Sequence, residues 1–177
     1  MTTYLPGTTV EINTAASAET FLDSLFATNG LVLSQVLQLT GLSAHTVQNW
    51  VKRKFVPPPV NKKYNRDQFC TIVMINMLND TFQIDQITSM IEFVRRVSPD
   101  APSLIYGCFV GLLGLIPPDT IRAATDTGDL IDHLLSQRDL DPSVYARLKP
   151  VLQVMVLAYI SSRVRSEALQ FLSEIDL

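Results

Sequence analysis

Cysteine is scarce in this chain, two among 177 residues, and neither Cys70 nor Cys108 belongs to a close Cys/His cluster. That excludes a zinc site of the usual spacing and reads as two reduced core residues of a cytosolic protein. Long hydrophobic runs are also missing: the longest, residues 104–116, is closed by Pro117 and Pro118 and is shorter than the roughly twenty residues a membrane span needs. The first seven residues have neither the basic start nor the apolar stretch of a signal peptide. A cytoplasmic location without a membrane partner is expected. No glycine-rich phosphate loop, metal-ligand spacing or nucleophile elbow occurs, so no enzyme activity, cofactor or metal is expected. Asp126, Asp129 and Asp132 recur every third residue without a basic or ligating companion, and His133 reads as a helix-surface residue.

The most telling absence is of acid. Between Ser24 and Arg66 there is no Asp or Glu, yet six basic residues fall there: Lys52, Arg53, Lys54, Lys62, Lys63 and Arg66. The rest of the chain holds 8 basic against 17 acidic residues, so a segment of +6 sits inside a body of −9, giving the net −3. A one-signed field on a short module suits a polyanion, because each Lys or Arg that neutralises a phosphate releases counterions. Nucleic acid is the leading candidate partner.

Hydrophobic spacing makes the fold class all-α. Ala18, Phe21, Leu22, Leu25 and Phe26 recur as an amphipathic stripe over residues 15–27, stopped by Asn29-Gly30. Short helices are expected at 34–39 and 44–54, separated by Thr40-Gly41-Leu42-Ser43, with Ser43 as N-cap of the second. Pro57-Pro58-Pro59 breaks the chain. A largely apolar helix capped by Asn65 or Asp67 belongs in the core, and another spans 83–97. The stretch 98–102, with Pro99 and Pro102, is taken as a boundary between domains at 14–97 and 103–177. Further helices are expected at 103–116, 119–124 and 129–137, then a long element towards Ile175 in which Pro150 makes a kink or a new start. Strand is expected only around residues 56–64, too short there for a full hairpin.

The segment 39–43 between two short helices has a helix-turn-helix signature, and the second helix divides cleanly. Val47, Trp50 and Val51 form an inner apolar stripe, whereas His45, Gln48, Asn49, Lys52 and Arg53 lie opposite. Gln48 and Asn49 suit bidentate contacts to adenine, Arg53 guanine or a phosphate, and Lys52 a phosphate. Trp50 reads as a core anchor rather than a base-stacking residue. His45 is either a polar surface residue or a base contact.

Four ordered blocks carry a resemblance: Leu39-Thr40-Gly41-Leu42-Ser43 with Thr46-Val47 and Trp50; Phe55-Val56-Pro57-Pro58; Lys63-Tyr64-Asn65-Arg66-Asp67; and Phe82-Gln83-Ile84-Asp85-Gln86-Ile87. Read in register over residues 33–91, the chain resembles the MerR-type winged helix-turn-helix family, and most closely an uncharacterised MerR-like family of unknown function. The resemblance implies that Lys62 and Lys63, on a very short wing, touch the DNA backbone. Tyr64 would close the wing onto the core or reach a phosphate, and Arg66 would extend the same basic patch.

The function expected is therefore transcriptional regulation by reading double-stranded DNA through the helix 44–54. The alternative is a protein-interaction module that turns the same basic face to an acidic protein. In the second half, Gly107, Gly111 and Gly114 with Tyr106, Phe109, Met155 and Tyr159 fit three readings: tight core packing, a homodimer interface, or a cavity for a small apolar ligand. Residues 103–177 are expected to supply dimerisation or effector input, and the protein is expected to be a homodimer through them.

Overall fold

The computed structural model describes residues 3–12, 18–116 and 127–175, most of them helical. A hairpin, β1 (Thr3–Tyr4) with β2 (Glu11–Ile12), precedes α1 (Ala18–Phe26). Then follow β3 (Leu31–Val32), α2 (Leu33–Thr40), α3 (Ala44–Lys52), β4 (Lys63–Tyr64) and α4 (Arg66–Leu78). The chain ends with α5 (Ile84–Arg95), α6 (Ala101–Leu113), α7 (Thr127–Ser136) and α8 (Pro142–Ser173). The helix expected at 119–124, Asp126 and the start of the first helix lie outside the described residues.

α4 is the centre. Its residues from Gln68 to Ile75 and Leu78 are all buried, because apolar side chains surround the helix. Asn65 and Gln68 close its N-terminus reciprocally: Gln68 N donates to Asn65 Oδ1 at 2.9 Å and Asn65 N to Gln68 Oε1 at 2.7 Å. α5, α6 and α8 pack around it, and their buried residues join those of α4 in one apolar cluster.

Two local expectations are corrected, and of the two alternatives at Pro150 one is removed. α6 starts at Ala101, so buried Pro102 is in its first turn, where a missing N–H costs no helical hydrogen bond. α8 runs through Pro150 as one helix, and no new helix starts at Val151. β1, β2 and β3 were not expected, since two-residue strands carry no alternation to read.

α6 turns its apolar face inward. Ile105, Tyr106, Phe109 and Leu112 are fully buried, and Tyr106 Oη donates to Pro6 O at 2.8 Å, tying the N-terminal segment down. The bare side of Gly111 is filled by Leu134, and Phe109 meets Tyr159 edge-on at 5.7 Å. Side chains that suggested an interface or cavity thus contact the chain's own core. Burial also pushes the Cys70 thiol well above its ordinary range, so it stays protonated. At the far end α8 leaves the body: residues 161–175 are exposed apart from half-buried Ser162.

Candidate nucleic-acid interface

A helix leaves its last four carbonyls without intrahelical partners, and in α2 all four are satisfied. Gly41 N donates to Leu37 O at 2.9 Å, Thr9 Oγ1 to Gln38 O at 2.9 Å, Thr9 N to Leu39 O at 2.8 Å and Asn76 Nδ2 to Thr40 O at 3.3 Å. Gly41 takes φ 71, the left-handed conformation that lets the chain reverse at once. Ser43 then caps α3, accepting from Thr46 N at 3.1 Å. Fixed at both ends, this turn sets the direction of α3 against the core.

α3 buries Val47 and Trp50, half-buries Val51, and exposes His45, Gln48, Asn49, Lys52 and Arg53. Its C-terminus is a Schellman arrangement in which Phe55 N donates to Trp50 O at 2.9 Å and Lys54 N to Val51 O at 3.0 Å. That places Lys54 at φ 64, where glycine is usual. It also brings Phe55 under the Arg53 guanidinium, 4.6 Å from the ring centroid, so the arginine is held by a cation–π contact at the end of the polar face.

The second basic cluster sits on a tight turn. Val60 N donates to Lys63 O at 3.1 Å and Lys63 N to Val60 O at 2.9 Å, with Asn61 at φ 50 and Lys62 at φ 61. Two consecutive left-handed residues are the mark of a type I′ hairpin turn. β4 then pairs with β3, Lys63 opposite Val32 and Tyr64 opposite Leu31, so the strand neighbour comes from before α2. Gln68, only 5% exposed, donates from Nε2 to Pro57 O at 3.1 Å and Pro58 O at 2.8 Å, fixing the linker between the two clusters.

Lys62 and Lys63 are exposed. Tyr64 is buried in the core, which pushes its phenol pKa up. Arg66 is half-buried and its Nη1 donates to Asp23 Oδ1 at 2.5 Å, so its charge is met by an acid one residue before the acid-free stretch. An open cleft of about 560 Å³ separates the turn from the residues before β3, with Asn29, Asn61, Lys63, Asn65 and Arg66 on its walls.

Three positioning residues escaped sequence reasoning. Thr9 and Asn76 act across long sequence separations and leave no local signal. Gln68, three residues after Asn65, stands at the spacing of a capping pattern, a signal that could have found its cap role but not its hold on the proline linker. Away from this face, Asp132 accepts from Lys149 Nζ at 2.8 Å and from Tyr145 Oη, which holds its carboxyl below the usual carboxylate range and clips α7 to α8. Among the described residues, no group of three or more His, Cys, Asp or Glu could hold a metal ion, and no helix is long and apolar enough to cross a membrane.

Residues 19–105, just under half of the chain, match a family described as a domain of unknown function, DUF1836. No MerR or other helix-turn-helix family model matches, which overturns the MerR resemblance. The four blocks specify caps, a tight turn and a buried aromatic, local features that any chain with these helix junctions can share. No curated protein and no solved structure matches the chain.

Proposed function

We propose that this protein binds double-stranded DNA in transcriptional control, with α2, the turn and α3 forming a helix-turn-helix and the turn from Val60 to Lys63 a short wing. One observation carries the reading: α3 exposes His45, Gln48, Asn49, Lys52 and Arg53 together while Val47 and Trp50 are buried, all within a stretch free of acid. Such a face suits the major groove, with the amides on base edges and the cations on phosphates. Lys54 and Lys62 add support, because both are exposed cations at positive φ in the same acid-free stretch as α3. Lys52, Lys62 and Lys63 are assigned to phosphates, Gln48 and Asn49 to base edges, and Arg53 to either. Arg66 and Tyr64 are assigned to the fold, because one is paired and the other buried.

Selection of bound fragments from random duplex DNA tests this reading, and one enriched motif is expected. On that site Gln48→Ala and Asn49→Ala should each cost roughly 1–3 kcal/mol with an unchanged salt dependence. Lys52→Ala and Lys63→Ala should weaken binding to every duplex alike and lower the salt slope by about one unit each. If no duplex is preferred, the basic face serves an acidic protein partner instead.

A further inference from the structure

We infer that the projecting half of α8 pairs in parallel with the same helix of a second copy. Val154, Leu157, Ser161, Val164, Ala168, Phe171 and Ile175 follow one another at alternating steps of three and four, the heptad spacing of a two-stranded coiled coil. The apolar members are exposed, Leu157 by 47%, Val164 by 39% and Phe171 by 67%. The run inside the helix, from Val154 to Phe171, is about 26 Å long at 1.5 Å per residue. A helical segment of this size without tertiary support is marginal in water, so it needs a partner surface.

Area and charge both favour another copy. Val154, Leu157, Val164, Phe171 and Ile175 on the stripe and Leu172 beside it are all exposed, and at roughly 60–130 Å² each two copies would bury on the order of 1,000 Å², the threshold for a specific interface. By helical geometry Arg165 flanks one side of the stripe, and Glu167 and Glu174 flank the other, with Arg163 a turn behind Glu167. Parallel pairing sets the basic flank of each helix against the acidic flank of its partner. Antiparallel pairing would set like against like.

The inference is independent of DNA binding and is tested without DNA. Sedimentation of the full chain on the order of ten micromolar should show a dimer, given an interface of this size. Val164→Asp combined with Phe171→Asp should give a monomer with the thermal unfolding of the body retained, whereas Ser166→Asp, on the opposite face, should leave the dimer. Ser161→Cys and Ala168→Cys, each introduced alone, should both form cross-linked dimers under oxidation, and the parent, with its two cysteines buried, should not. A monomeric parent, or a dimer untouched by the paired substitution, overturns the inference. Cross-linking at only one of the two positions overturns the parallel arrangement.

Discussion

Replacing Lys62 by glycine separates what the fold prefers from what the proposed function needs. Lys62 stands at φ 61 in a turn that Asn61 enters at φ 50, and for such a turn Asn followed by Gly is the most favourable pair. An L-residue held in the left-handed region costs roughly 1–2 kcal/mol, while glycine returns about 0.5–1 kcal/mol through the greater freedom of the unfolded chain. The side chain is exposed, so no packing is lost. Lys62→Gly should thus stabilise the protein by about 0.5–1 kcal/mol, read as a higher urea midpoint and a melting temperature raised by roughly 2 °C for a chain of this size. On the proposed reading the same substitution removes one phosphate contact, so the slope of log affinity against log salt should fall by about 0.9. A stabilised variant that binds DNA like the parent at every salt concentration would show that Lys62 is not a phosphate contact. A destabilised variant would sink the strain argument itself.

Trp50→Ala should cost roughly 3–5 kcal/mol, since the side chain is 5% exposed in the core, and DNA binding should be lost together with the fold; loss of binding with an unchanged melt would place Trp50 on the DNA instead. Gly7→Ala should destabilise by about 2 kcal/mol or more in chemical denaturation, because φ is +74 and the added carbon would lie 2.6 Å from Val73 O; a neutral result would mean that the N-terminal segment is not held against α4. Asp132→Asn should destabilise the parent at neutral pH and progressively less in acid. The folded-state pKa of Asp132 is depressed by Lys149 and Tyr145, so its contribution is present above the unfolded pKa and lost as pH falls through the folded one. Melting temperatures of both proteins across that range decide it, and a constant difference would refute the assignment.

Whatever was legible in the sequence depended on signals that stay local. The two faces of α3 could be read because Val47, Trp50 and Val51 recur at helical spacing, and the core position of α4 because most of its circumference is apolar. The turn at Asn61-Lys62 could not be read, since its glycine position is filled by a lysine. Pro102 pointed to a linker when alone, but it suits a first helical turn equally well, and only the packing of α6 on α4 distinguishes the two. Along α8 two apolar stripes overlap. Val151, Leu152, Met155 and Val156 are buried in the body, and beside them run Val154 and Leu157, which are exposed. In sequence they merge into one apolar stretch broken only by Gln153, and burial alone separates the core stripe from the heptad stripe.

Charge connects the proposed reading head to the proposed dimer. With Arg66 paired, Lys52, Lys62 and Lys63 are left for phosphates, and if Arg53 and Lys54 join them the full set of five contacts sets an upper bound of about −4.5 on the salt slope. Raising salt from about 50 to 200 mM would then cost a single head up to about 500-fold in affinity. A net charge of −3 provides no compensating long-range attraction. A lone head is therefore weak at physiological salt, and joining two through α8 doubles the contacts on a palindromic site. Combined Val164→Asp and Phe171→Asp should accordingly lower affinity for a selected palindrome by orders of magnitude and halve the salt slope, while affinity for a single half-site stays that of the parent. If the paired substitution abolishes the dimer and the slope does not change, one head makes all the contacts and α8 serves something other than DNA binding.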